Sequence, residues 1–271
     1  MPPAEPPRSF RRALALGLIQ GPTELLPISS SAHTRLIPWL AGWDQSAPGR
    51  EDGRSFELAL HGAACLALTV EMAGPLRRDL GPPSARGTVT ALLAVGAPAI
   101  AGLTLGGTLQ RHLSGARATA AGLVAGAAGM ALADRLGADD RSTARDAGPL
   151  DGLMLGLAQA LALAPGVSRN GATLTAARGR GFTRPAAQRL SWGVGLPVMG
   201  GASAAEALRA ARGGPLREGT ALLVGALGAF ISTRLSARLL RRRLERAPLW
   251  PFALYRCLLA GLIVLAPRRA Q

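Results

Sequence analysis

The sequence predicts an all-α integral membrane protein: about six transmembrane helices plus two re-entrant helix pairs, arranged as an inverted-topology repeat within a single membrane domain, 1–271. Three observations predict it. Hydrophobic residues make up 48% of the chain and come in long blocks of Ala, Leu, Gly and Val, which is a bilayer pattern. Two further apolar blocks are broken midway by proline and hydroxyl residues. The two halves of the chain carry similar short motifs in the same order.

The six expected spans are about 56–73, 89–109, 117–137, 190–211, 217–238 and 250–267. Each holds close to the ~20 apolar residues that cross a ~30 Å hydrocarbon core. The broken blocks are about 13–43, interrupted at Pro27-Ile28-Ser29-Ser30-Ser31, and 150–178, interrupted at Pro165-Gly166-Val167-Ser168-Arg169-Asn170. Irregular backbone persists at membrane depth only where protein or a wet cavity satisfies its polar groups, so each is read as a pair dipping in and turning back. Three arginines (Arg8, Arg11, Arg12) precede the first block and resemble the start of a signal peptide. Gln20, Pro22 and Glu24 interrupt the apolar run and no small-x-small site follows, so a retained segment is expected.

The repeat is read as about 13–137 and about 150–267. Leu16-Gly17-Leu18-Ile19-Gln20 matches Leu155-Gly156-Leu157-Ala158-Gln159, and Val95-Gly96-Ala97-Pro98 matches Val194-Gly195-Leu196-Pro197. One re-entrant pair plus three spans is an odd number of crossings, so the second copy is inverted. Sites in such folds form near the midplane where broken helices meet. The 24–33 and 165–173 stretches are therefore expected to face each other.

The net charge of +15 invites a nucleic-acid reading, which the pattern excludes. Every one of the 31 basic residues is arginine, scattered through short loops with no aromatic stripe beside them. Cys65 and Cys257 lie in apolar blocks without metal or disulfide spacing and are expected to be buried small hydrophobes. Loops near 74–88, 138–149, 179–189 and 239–249 are richest in arginine and are assigned to the cytoplasm, with both termini outside.

The first break concentrates chemistry. Gln20 and Glu24 share a helix face four residues apart, and Ser29, Ser30, Ser31 and His33 follow within ten residues. An ionisable group at membrane depth is costly and is a functional candidate by default. The ordinary alternative is a serine-capped helix end with a snorkelling glutamate. The second break sets Arg169 among Ser168, Asn170 and Thr173, with Gly166 and Gly171 permitting tight turns. Arginine presents a planar fork suited to phosphate oxygens, and a helix start adds partial positive charge. Here the ordinary alternative is an arginine paired with a carbonyl or with Glu24. Glu57 and His61 share a face at the start of a span and are expected to line an entrance.

These residues resemble the BacA/UppP-type undecaprenyl-pyrophosphate phosphatases. The resemblance rests on Gln20-x-x-x-Glu24, on Leu26-Pro27-Ile28-Ser29-Ser30-Ser31-Ala32-His33, and on Pro165 through Thr173. It continues through Phe56-Glu57, Pro197 to Ala202, and Pro251-Phe252-Ala253-Leu254-Tyr255-Arg256. It implies a multi-pass enzyme of the bacterial inner membrane, acting on a polyprenyl pyrophosphate at the outer face and recycling the lipid carrier for cell-wall glycan synthesis. It also implies assistance by a divalent cation, Mg²⁺ or Ca²⁺, held by Glu24 with Gln20 as a neutral second ligand. Glu24, Ser30, His33 and Arg169 are then the catalytic candidates. Ser29, Ser31, Ser168, Asn170 and Thr173 are the substrate-binding ones. Gln20 stands where the family often has glutamate, Asn170 where serine is expected, and Ala32 where glycine is. A transporter of phosphorylated prenyl lipid, or an inactive binding relative, are the competing readings, and a homo-oligomer is left open. The assigned orientation is tested by introduced cysteines. One beside Arg243 should resist an impermeant thiol reagent in intact cells and one beside Gln271 should react; the reverse labelling would overturn it.

Overall fold

The computed structural model describes residues 10–43, 51–82, 84–113, 115–212 and 219–266, with backbone alone for 51–55, 110–111, 206 and 210–212. Arg8, Gln271 and much of the 44–55 and 212–216 loops lie outside the described residues. Among the described residues ten α-helices follow one another: α1 Phe10–Leu25, α2 Ser30–Leu40, α3 Glu51–Leu80, α4 Ala85–Leu113, α5 Ala116–Leu136, α6 Pro149–Leu161, α7 Arg169–Gly179, α8 Arg184–Arg212, α9 Gly219–Leu244 and α10 Trp250–Leu265, with a short 3-10 turn at Ala144–Asp146. There is no strand among the described residues.

Four helices are long and apolar enough to cross a membrane: α3 over Phe56–Leu80, α4 over Ala85–Leu109, α5 and α9. The sequence predicts six such spans. The remaining two form as helices but miss the criterion for different reasons. α8 runs 29 residues and buries Gln188 and Ser191, side chains that other parts of the chain need as partners. α10 is apolar but only 16 residues long. Four apolar helices fit a multi-pass membrane protein.

Both broken blocks fold as two helices around an irregular turn. α1 ends as Leu26 N–H bonds the Pro22 carbonyl at 3.0 Å, and Ser29 then takes a left-handed conformation at φ 73° before α2 starts. That conformation is costly for a residue with a Cβ and is held here by its surroundings. In the second break Gly166 occupies the same region at φ 84°, and Ser168 caps α7 by accepting from Gly171 N–H at 3.2 Å.

Glycine sets how close the helices come. α1 packs on α9, where a Cβ on Gly17 would lie 2.2 Å from the Gly225 carbonyl oxygen. α6 packs on α4 in the same way, with a Cβ on Gly152 falling 2.2 Å from the Thr90 carbonyl oxygen. Small residues at such crossings are the ordinary means of close helix approach in membranes. α3 lies against α8 and α9, and α5 against α7 and α10. Cys65 is buried as expected, whereas Cys257 is exposed on α10, which turns the expectation of a buried thiol around there. α10 presents Leu254, Leu258 and Leu262 outward, and Cys257 lies among that outward set.

Acidic residues at the opposite end of the bundle fasten its loops. Asp151, in the first turn of α6, accepts from Gly148 N–H at 2.8 Å and pairs with Arg141 and Arg180, both at 2.8 Å. Asp134 pairs with Arg184 at 2.8 Å and accepts from Leu249 N–H at 2.9 Å. Gly17→Ala should therefore lower stability in detergent by ~1–3 kcal/mol through overpacking. Gly96→Ala, where an added Cβ meets nothing within 4 Å, should be neutral or slightly stabilising. Thermal unfolding compares them; equal midpoints would show that the α1–α9 crossing is not set by glycine.

Candidate active site

Glu24 is the centre of the site. It stands in the last turn of α1, buried, and its two oxygens face different partners. Oε2 accepts from Ser30 Oγ at 2.8 Å and from Gln20 Nε2 at 3.0 Å, and lies 3.0 Å from His61 Nδ1. Oε1 accepts from Arg169 Nη2 at 3.3 Å. Four elements supply this cluster: α1, the start of α2, α3 and the start of α7.

The neighbours define what each ring nitrogen can do. His61 Nδ1 lies 3.0 Å from both Glu24 Oε2 and Gln20 Nε2, so it donates to the carboxylate in one tautomer and accepts from the amide in the other. Its other nitrogen lies 3.9 Å from Glu57 Oε1, and Glu57 is paired in turn with Arg35 at 2.9 Å. His33 differs. Its Nδ1 lies 2.8 Å from the Ser29 carbonyl, which only accepts, so Nδ1 donates there and Nε2 accepts from the Tyr255 hydroxyl at 2.7 Å. The two rings stack nearly parallel, with centroids 5.6 Å apart.

The structure thus brings Gln20, Glu24, Ser30 and Arg169 together, and leaves other expected residues to one side. Neither nitrogen of His33 bonds Ser30 or Glu24. Ser29 and Ser31 share a hydroxyl contact at 3.4 Å. Ser168 caps α7. Asn170 donates to the Leu25 carbonyl at 2.8 Å and accepts from Ser191 at 2.7 Å and Gln188 at 3.3 Å. Thr173 is 2.6 Å from Ser191 and back-bonds to the Arg169 carbonyl at 2.9 Å. Asn170 and Thr173 therefore tie the two breaks to α8, a task the chain order does not reveal.

Two buried atoms at the cluster have no hydrogen-bond partner among the described residues: Arg169 Nη1 and Gln20 Oε1. Arg169 reaches its place because residue 195 is glycine; a Cβ there would lie 1.9 Å from Nη1. Its guanidinium also lies 5.6 Å from the Trp192 ring centroid. A buried donor costs ~1–3 kcal/mol when unpaired, so Nη1 is suited to an anionic oxygen.

The matching family model, the bacitracin resistance protein BacA, covers residues 13–262 and so includes every residue of this cluster. The chain belongs to the BacA family. Its relatives within that family are similar along nearly their whole length. The undecaprenyl-diphosphatase of Geobacter sulfurreducens is 40% identical, covering 94% of this chain and 96% of the relative. That of Geobacter metallireducens is 38% identical over 93% and 96%, and that of Thermomicrobium roseum 37% over 94% and 96%.

Three site residues escaped the reading of the sequence. His61 was expected at an entrance and instead touches Glu24 directly. Tyr255 holds His33. Arg256, fully buried, holds the whole site: Nη1 donates to the Pro27 carbonyl at 3.3 Å, Nη2 to Gly166 at 3.0 Å and Gly122 at 3.3 Å, and Nε to Leu123 at 3.2 Å. One guanidinium thus grips a carbonyl from each break. The available signal was an arginine in the middle of an apolar helix. Arg256→Lys keeps the charge but not the fork, and should destabilise the protein by ~2–5 kcal/mol as carbonyls lose their donors. Turnover should fall more than about tenfold, since misplaced reacting groups lose rate steeply. Unfolding and activity in detergent measure this, with exposed Arg243→Lys as the control; parallel behaviour of the two variants would refute the clamp.

Proposed function

We propose that this protein hydrolyses undecaprenyl pyrophosphate to the monophosphate and inorganic phosphate, so returning the lipid carrier to cell-wall glycan synthesis. The observation that carries this reading is the short Ser30–Glu24 contact set directly against Arg169. It stands beside family membership and beside relatives named undecaprenyl-diphosphatase. A protein that only bound or moved a phosphorylated lipid would need the arginine and not a buried hydroxyl–carboxylate pair, which favours hydrolysis over transport.

The terminal phosphate docks with an oxygen on Arg169 Nη1. Ser30 Oγ attacks its phosphorus as Glu24 Oε2 receives the hydroxyl proton. The Oγ–P bond forms and the bridging P–O bond breaks, so the electron pair leaves with the lipid monophosphate. Glu24 hands that proton to the departing monophosphate and so is free to take a proton from the water that then cleaves the phosphoserine; this second proton returns to Ser30 Oγ as inorganic phosphate departs. Arg169 stabilises the charge that gathers on the equatorial oxygens throughout. In the alternative path, Glu24 takes its proton from a water that attacks directly. His61 stands against Glu24 Oε2 and orients that carboxylate, and His33, held by Tyr255 and Ser29, orients the first turn of α2.

A Mg²⁺ or Ca²⁺ ion fits this site only in part. Gln20 Oε1 is an unpartnered buried oxygen beside the Glu24 carboxylate, and hard cations are bound through few protein oxygens plus substrate phosphates. Among the described residues no three His, Cys, Asp or Glu converge on a metal site. The ion would supply neutralising charge for the pyrophosphate, arriving with the substrate.

The architecture proposed around this chemistry is an inverted repeat with two re-entrant pairs. Its support is the reciprocal packing: exchanging the first five helices with the last five maps α1 on α9 onto α6 on α4. The arginine-rich loops favour an inner-membrane orientation with the site open to the outer side. Two variants test the reading. Ser30→Ala should bind the lipid normally while single-turnover phosphate release falls by orders of magnitude. Arg169→Lys should weaken binding as well, by ~1.5–3 kcal/mol for a lost charge-assisted contact. Near-normal turnover in Ser30→Ala would leave water as the attacker. Unchanged binding and turnover in Arg169→Lys would sink the phosphate pocket.

A further inference from the structure

The end of the bundle away from Glu24 carries a second concentration of positive charge. The last turns of α3 and α9, with the start of α8, enclose a cavity of about 480 Å³ lined by Arg78, Arg189, Arg241, Arg242 and Arg246. Two acids share it, and each already has an arginine: Asp79 pairs with Arg189 at 3.1 Å, and Glu245 with Arg241 at 2.9 Å. Arg78, Arg242 and Arg246 have no carboxylate partner among the described residues. Helix C-termini attract cations, which accounts for one or two arginines at each end. Three unneutralised guanidinium groups around one concavity repel one another, and an anion relieves that repulsion.

The outer face of α9 indicates what the anion is attached to. Ile231, Leu235 and Leu239 are 60%, 56% and 65% exposed. At 100° per residue they share a sector of about 80° with Arg242 further along the helix, and Arg246 follows in the turn just past its end. An apolar track thus runs straight into the arginine cavity on one helix face. The cavity is also remote from the catalytic cluster: His61 and Arg78 both lie on α3, 17 residues apart in sequence and so roughly 25 Å along the helix.

We propose that this pocket binds the phosphodiester headgroup of an anionic phospholipid from the surrounding leaflet, with an acyl chain lying along Ile231, Leu235 and Leu239. Basic pockets between helices at the cytoplasmic side are the usual means of holding such headgroups, and anionic lipid is enriched there. A free phosphate would use the arginines but not the track. A second copy of the chain would use the track but not the uncompensated charge.

Thermal unfolding of the full chain in neutral detergent tests this. The probes are short-chain phosphatidylglycerol, short-chain phosphatidylcholine and inorganic phosphate. Phosphatidylglycerol should raise the Tm saturably, and the other two should not at matched concentrations. In the Arg78→Gln/Arg242→Gln/Arg246→Gln variant, apparent affinity for phosphatidylglycerol should fall at least about tenfold, the loss of roughly one such contact. Its phosphate release from undecaprenyl pyrophosphate should stay unchanged, which separates this site from the catalytic one. The single Arg242→Gln variant should fall between the two and covers any loss of folding in the triple change. An equal shift from inorganic phosphate, an equal shift from phosphatidylcholine, a full shift retained by the triple variant, or a Tm rise accompanied by dimer formation would each overturn the lipid site.

Discussion

The structure depends on one buried arginine. Arg256 spends its guanidinium on four main-chain carbonyls, from Pro27, Gly122, Leu123 and Gly166, and has no exposure to solvent. Broken helices expose carbonyls that have no partner in the next turn, and in an apolar bundle each such group is costly. Arginine answers this with five donors in a fixed plane, enough to serve both breaks and α5 at once. The arrangement is reciprocal. The breaks need donors, and the buried charge needs acceptors whose dipoles point at it. Removing either side leaves the other unsatisfied, so the breaks are fixed in position relative to each other although neither is regular structure.

That fixation decides what the site can be. Glu24 and Ser30 belong to the first break, while Arg169 opens the helix after the second, 145 residues later in the chain. Asn170 adds a direct tie, since its amide donates to the Leu25 carbonyl beside Glu24. The acid and the hydroxyl therefore come from one half and the anion-binding fork from the other. Glycine completes the approach: Gly171 and Gly126 leave room for Arg256, and Gly195 leaves room for Arg169. A Cβ at any of these positions would press on a guanidinium that has no alternative place.

Much of this was legible in the chain because the bilayer imposes a strong one-dimensional pattern. Apolar blocks interrupted by Pro27-Ile28-Ser29 and Pro165-Gly166-Val167 located both breaks, and Glu24 and Arg169, singled out in the chain as costly charges, meet at 3.3 Å. The rest depended on lateral packing, which spacing does not encode. Asn170 and Thr173 look like anion ligands beside an arginine, and only the crossing of α7 with α8 shows Ser191 and Gln188 waiting for them. His33 sits one turn from Ser30, yet Tyr255 from the far end of the chain takes its free nitrogen. His61 read as an entrance residue because its depth follows from how α3 tilts past α1. α8 shows the converse limit: the helix expected as a span also carries Gln188 and Ser191, the polar partners of the second break.

The Gln20 position can now be understood in terms of charge. Its amide nitrogen lies 3.0 Å from Glu24 Oε2, so a carboxylate there would set two anions within contact and would require a cation between them. With an amide no second anion is present, and Glu24 lies against Arg169 on one oxygen and His61 on the other. In a low-dielectric site this matters more than it would in water, since each uncompensated charge acts at several times its aqueous strength. Gln20 Oε1 is buried beside the Glu24 carboxylate with no hydrogen-bond partner among the described residues, so the amide leaves a neutral oxygen where a carboxylate would add charge.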